Sequence, residues 1–245
     1  MKTRSLIVRS MESIQTTGHS IRTLSVGFGL LLLTLALAVP GWSVPLYVQP
    51  WDNTGNVAAS QNDTAFYGNF ATTYDNFHLG GTAPPAGQPG ALLANWVITG
   101  PGNENFIGPV NGTLMFSYDL ALGSSYTVSN GTQYWLSLVP DLAYPPQWGW
   151  ASGTGGEGIA YQDFQSVRGQ LSNDMAFTLL GNGNSFDEVQ FIGGYFNPSD
   201  LGQITSWSVS LWADAPAQTP EPGSLVLMGS GVLSLAGLLR RRLLP

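Results

Sequence analysis

The sequence predicts an all-β protein: an antiparallel, jelly-roll-like β-sandwich flanked by an N-terminal signal helix and a C-terminal transmembrane helix. Three observations carry this prediction. Apolar and polar side chains alternate with period two through the middle of the chain, and pairs of turn-forming residues punctuate that alternation. The cations are confined to the two ends: of eight Lys and Arg, four lie near the start (Lys2, Arg4, Arg9, Arg22), three form Arg240–Arg242, and Arg168 alone lies between.

The first element, residues 1–43, reads as a secretory signal. A basic region precedes the uncharged run Leu24 to Val39, which is short of the roughly 20 apolar residues a membrane span needs and suits a signal core with small residues behind it. Cleavage fits after Ala38 or after Ser43, and Ser43 is preferred because it leaves a few residues beyond the apolar run. Met11 offers a second start, and an uncleaved anchor is the alternative. Export through the Sec machinery is the expectation.

The last element, residues 219–245, mirrors the first. Ser224 to Leu239 is an uncharged apolar run holding Gly229, Gly231 and Gly237. As a helix it would be about 24 Å long, marginal against a hydrocarbon core of about 30 Å. Pro222 stands before it, where a missing N–H is tolerated at a helix start. Arg240, Arg241 and Arg242 would hold the C-terminus on the cytoplasmic side, leaving the middle of the chain outside.

Between the ends, residues 44–218 are enough for one domain with its own core. The run "LMFSYDLAL" sets Leu114, Phe116, Tyr118, Leu120 and Leu122 on one face. "QYWLSLV" sets Tyr134, Leu136 and Leu138 against Trp135, Ser137 and Val139, and "DMAFTLL" aligns Met175, Phe177 and Leu179. In "ITSWSVSLWAD", Trp207, Val209 and Leu211 alternate with Ser206, Ser208, Ser210 and Trp212. Such patterns in Tyr-, Trp- and Val-rich runs are those of half-buried strands. Asn-Gly at 111, 130 and 182, Pro-Gly at 89 and 101, and Gly-Gly at 80, 155 and 193 read as turns. "NFHLGGTAPPAGQPGALL" reads as one long loop.

Pro220-Glu221-Pro222, the glycine-punctuated apolar run and the arginine cluster together resemble the PEP-CTERM sorting signal of bacterial exported proteins. The resemblance implies recognition by an exosortase, processing near Pro-Glu-Pro, and delivery to the envelope, cell surface or extracellular matrix. The middle of the chain is similar to a lectin-like or jelly-roll domain that recurs in such proteins. The pieces that carry this are Tyr74-Asp75-Asn76-Phe77, "AGQPGALL", "GTQYWLSLVPDLAYPPQWGWASGTGG", "AYQDF" and "NDMAFTLLG". In that domain a piece like "VQFIGGYF…ITSWSVSLWADA" precedes the Gln-Pro-Gly piece. Here it stands last, which implies a circular permutation.

Charge and chemistry narrow the function. Thirteen acids in residues 44–218 face Arg168 alone, a formal charge of −12. That excludes nucleic acid, whose phosphates need Lys and Arg, and makes anionic lipid surfaces poor partners. With no cysteine in the chain, disulfides, thiolate metal sites and thiol nucleophiles are absent. His78 is the one histidine beyond the signal, and no Gly-x-Ser-x-Gly elbow supplies a nucleophile. His78, after the aromatic strand "YDNFHL", reads as a strand-surface or satisfied residue.

Two ligand classes remain. Trp148 and Trp150, two apart in "PPQWGWASG", would project to one side if extended, where indole faces could stack on sugar rings or close the core; Trp212 is a further platform. Calcium is the candidate metal, with oxygen ligands from Glu157, Asp163, Asp174, Asp187 and Glu188 near glycine-rich loops, although none forms an EF-hand loop. Most of the remaining acids, Asp52 and Asp63 among them, sit at turns where Asp caps loops. The expected function is a non-enzymatic envelope or matrix protein associating with exopolysaccharide. The alternative is a carbohydrate-active hydrolase using paired carboxylates on the same scaffold.

Overall fold

The computed structural model describes residues 43–82, 87–196 and 202–215. The signal helix, the C-terminal helix and the residues Pro220, Glu221, Pro222, Arg240, Arg241 and Arg242 lie outside the described residues. Within them the chain forms strands and turns and no helix. In chain order the strands are β1 (Val44–Gln49), β2 (Val57–Ala59), β3 (Gln61–Asp63), β4 (Gly68–Phe77), β5 (Gln88–Thr99), β6 (Asn105–Val110), β7 (Thr113–Thr127) and β8 (Tyr134–Leu142). There follow β9 (Trp148–Gly153), β10 (Ala160–Phe164), β11 (Val167–Leu171), β12 (Asp174–Met175), β13 (Phe177–Asn182), β14 (Ser185–Tyr195) and β15 (Ser206–Ala215).

They build two sheets, consistent with the expected sandwich. One runs β1-β13-β14-β7-β6, with β9 continuing beside the end of β14 and carrying β2 and β12. The other has seven strands in the order β11-β10-β4-β3-β8-β15-β5. Pairing is antiparallel except for the short β3–β8 contact. The period-two runs supply the core as expected: Phe116, Tyr118, Leu120 and Leu122 from β7 meet Leu136 and Leu138 from β8 and Trp207, Val209 and Leu211 from β15, all buried. Edge-to-face rings dominate, such as Phe191 against Trp207 at 5.0 Å, an arrangement that adds to area burial.

Three turn expectations are corrected. Gly193-Gly194 lies inside β14 rather than at a bend, because β14 there pairs with β7 on one side and β9 on the other. A Cβ at Gly193 would overlap the Trp148 indole, so the residue is there for close approach and not for turning. Pro89-Gly90 belongs to β5, at the end of the strand where its register with β15 shifts, a position at which proline is tolerated. The long loop is correspondingly shorter, since β4 runs to Phe77 and β5 starts at Gln88.

The chain enters and leaves the sandwich at one pole. Val44 pairs with Gly181, which faces Phe186; Phe186 packs on Phe77, whose partner Tyr134 also pairs with Ala213, close to the end of β15. The opposite pole carries the β3–β4 turn and the β8–β9 loop.

Candidate functional site

Alternation along β15 turns Trp207, Val209 and Leu211 inward and leaves Ser206, Ser208, Ser210 and Trp212 on the outer face of the seven-stranded sheet. That face is hollowed into a groove of about 360 Å³, lined by Tyr74 and Thr72 of β4, Ser137 and Val139 of β8, Val97 of β5, and Ser208, Ser210 and Trp212 of β15. Asn62, Asn69 and Asp141 also line it; since Ser206 pairs with Asp141, they mark its end toward the pole remote from Val44 and Ala215.

The lining is pre-set by its own hydrogen bonds. The Trp212 indole Nε1 donates to Ser137 Oγ at 3.0 Å, and its ring meets Tyr74 edge-on at 5.5 Å. Ser208 and Ser210 hydroxyls both donate to Asn95 Oδ1, at 2.9 and 2.8 Å. Tyr74 donates to Asp163 Oδ2 at 3.1 Å, and Arg168 grips the same carboxylate with Nε and Nη2 at 2.7 and 2.8 Å. The Arg168 bond first, then its charge, hold Asp163 below the ordinary carboxylate range against partial burial. Burial and the neighbouring Asp163 push the Tyr74 hydroxyl up to about 12. Asp141 is the carboxylate in the groove lining, and it is occupied by Asn62 Nδ2 at 2.6 Å and by the Ser206 hydroxyl.

Trp148 and Trp150 are not part of this surface. They do share one side, as their spacing predicts, but it is the core side: both are 0% exposed. Trp148 Nε1 donates to the Tyr118 hydroxyl at 3.1 Å and Trp150 Nε1 to the Ala176 carbonyl at 2.9 Å. "WGWASG" is the strand β9, extended as the one-sided projection requires, and the platform reading of these two residues gives way to the core reading. Trp212 remains partly exposed.

The five acids considered for calcium do not converge on one site, although Glu157 and Asp174 lie near enough for their charges to interact. Asp163 pairs with Arg168. Asp174 Oδ1 accepts the Gly158 and Ile159 N–H groups at 2.7 and 3.1 Å. Glu157 faces His78 Nδ1 at 3.4 Å. Glu188, with Asp187 beside it on β14, accepts from Gln190 Nε2 at 2.9 Å. Among the described residues no three His, Cys, Asp or Glu side chains are grouped to hold a metal ion. Asp52 and Asp63 cap turns as expected, Asp52 Oδ1 accepting from Thr54 N at 2.9 Å.

Two features were not read from the sequence. Asp75, within the aromatic strand β4, is wholly buried; its carboxylate accepts from Gln49 Nε2, Met175 N and Asn76 N. At the remote pole five rings gather: Phe66, Tyr67, Phe70, Tyr144 and Phe164, each within 4.8–6.4 Å of a neighbour. Phe66 is 75% exposed. The aromatic density of "AFYGNF" was the available signal for three of them, whereas Tyr144 and Phe164 reach the cluster only through tertiary folding.

Residues 218–242 match the model of the PEP-CTERM protein-sorting motif. No curated protein and no solved structure matches the chain. The match spans Pro220-Glu221-Pro222, the apolar run and the arginines, beginning three residues past the last described strand. Behind its β-sandwich the chain thus carries the PEP-CTERM sorting motif, the mark of an exported protein made as a membrane-anchored precursor and processed by an exosortase.

Proposed function

We propose that the sandwich is a non-enzymatic envelope or matrix protein that holds uncharged extracellular polysaccharide along the outer face of its seven-stranded sheet. The observation that carries this reading is the groove itself: a partly exposed Trp212 braced by Tyr74 and Ser137, amid hydroxyl and amide side chains held in place by one another. Sugar rings offer an apolar face for the indole and hydroxyls for the serine and asparagine groups. The formal charge of −12 disfavours an anionic polymer. Asp141 as the lining carboxylate, itself bonded to Asn62 and Ser206, supports binding over glycoside hydrolysis, which calls for two carboxyl groups across the scissile bond. The rings of the remote pole lie beyond Asn62 and Asp141, where a polymer leaving the groove would meet them.

The test is glycan-array binding by the full-length chain in detergent, beside a reducing-sugar release assay. Retention of neutral glycans, weakened about tenfold or more by Trp212→Ala, supports the reading. Absence of glycan binding refutes it, and reducing ends released above a blank would replace it with the hydrolase.

A further inference from the structure

A strand at the end of a sheet presents unpaired N–H and C=O groups, and folded proteins blunt such edges with brevity, proline, bulges or charge. Most of the terminal strands here are blunted. β1 has six residues, with Pro45 and a register shift beside it. β6 has six, interrupted by a shift at Gly108 and followed by Pro109. β11 has five and carries Arg168. β2 and β12 have three and two.

β5 is different. It has twelve residues, and among the described residues it pairs with β15 alone. Its proline and its register shifts fall at Pro89–Leu93. From Ala94 to Thr99 it runs in unbroken register with Leu211 to Ser206. That stretch, "ANWVIT", contains no charge, no proline and no glycine. Every second residue along it turns its N–H and C=O away from β15. Val97 is 70% exposed there, and the neighbouring Leu92 and Leu93 are exposed as well.

We infer that this edge pairs with the β5 edge of a second copy of the chain, antiparallel about a two-fold axis, so that the seven-stranded sheet continues from one copy into the next. A second copy suits the edge for two reasons. Antiparallel pairing about a two-fold is self-complementary, so one strand serves both sides. Two bodies of formal charge −12 repel, and β5 with the paired β15 stretch Ser206–Leu211 forms a strip without a charged side chain along which they can close. The groove lies on the face of this same sheet, so pairing would set two grooves side by side. The inference stands on the edge alone and does not depend on what the groove binds.

Sedimentation analysis of the full-length chain in detergent, over a concentration series, tests it with Val97→Lys and, as a control, Val167→Lys on the blunted edge, where Val167 is 72% exposed. Wild type and Val167→Lys are expected to dimerise, and Val97→Lys to raise the dissociation constant about tenfold or more with an unchanged melting temperature. A lysine lowers the overall repulsion between acidic bodies, so weaker association in Val97→Lys would come from the edge. Because the chain has no cysteine, Asn95→Cys and Val97→Cys supply a second measurement: at least one should oxidise to a covalent dimer that Val167→Cys does not form. A monomeric wild type overturns the inference. So does a dimer that Val97→Lys leaves intact and neither edge cysteine can cross-link, which would place association elsewhere, such as the C-terminal segment.

Discussion

The Asp63 carboxylate accepts the Tyr144 backbone N–H at 2.9 Å, tying the β3–β4 turn to the loop after β8. The same side chain accepts N–H bonds from Ala65, Phe66 and Tyr67 while only 2% exposed. Burial works against its charge, but the four backbone bonds outweigh burial and hold the carboxyl below the ordinary range. A lowered folded pKa gives stability that is present above the unfolded value and lost as pH falls through the folded one. Asp63→Ala leaves several N–H groups unpaired and is expected to cost about 2–4 kcal/mol, read by chemical denaturation. Loss of less than about 0.5 kcal/mol would mean that water replaces the carboxylate.

Gly193 and Trp148 form a second close pair. The indole occupies the space a side chain at 193 would need, and Gly193 pairs with Trp150 across the β14–β9 ladder. Gly193→Ala should therefore destabilise by about 1–3 kcal/mol through overpacking. Trp148→Ala should cost about 3–5 kcal/mol through the cavity it leaves. Trp212→Ala, at the groove, should stay within about 1 kcal/mol of wild type. Thermal melts of the three variants check the order; a Trp212 variant as unstable as the Trp148 variant would make Trp212 a core residue.

The strands of the core were legible because period two survives in any half-buried strand: β15 alternates as its letters do, and so does β7. What failed did so for tertiary reasons. "WGWASG" left Trp148 and Trp150 open between platform and core, because its small residues do not show that β9 passes close to β14 and β2, where a Cβ at Gly149 would crowd Val57 and the Ala58 carbonyl. Gly-Gly at 193 looks like a turn for the same reason. For the groove, sequence identified Trp212 by its parity, but Tyr74, Asn62 and Asn95 arrive from strands far away in the chain. The acids near glycine-rich loops suggested a shared metal, while the structure sets Asp163 on Arg168, Glu157 on His78, Glu188 on Gln190 and Asp174 on backbone N–H groups.

That dispersal makes a prediction about metal removal. Calcium should leave the melting temperature of the sandwich unchanged, and EDTA should not lower it. A calcium-dependent rise of several degrees would mean that a binding set forms with residues beyond those described.

Asp75 gives the pH dependence. Its carboxyl is wholly buried, and burial raises its pKa well above the ordinary value; the Met175 and Asn76 N–H bonds and Gln49 oppose this, and nearby Asp174 reinforces it. A raised folded pKa has the opposite sign to Asp63: its contribution is full below the unfolded carboxylate value, about 4, and is lost as pH rises through the folded value. Asp63 and Asp163, with lowered values, lose theirs only on the acid side. The melting temperature should therefore rise as pH falls from neutral toward mildly acidic, then drop at stronger acid as Asp63 and Asp163 are protonated. Asp75→Asn, which mimics the neutral acid, should flatten the neutral limb and leave the acid limb in place. A neutral limb as steep in Asp75→Asn as in wild type would assign that slope to another group, with Glu157 next in line, since its carboxyl is also raised by burial.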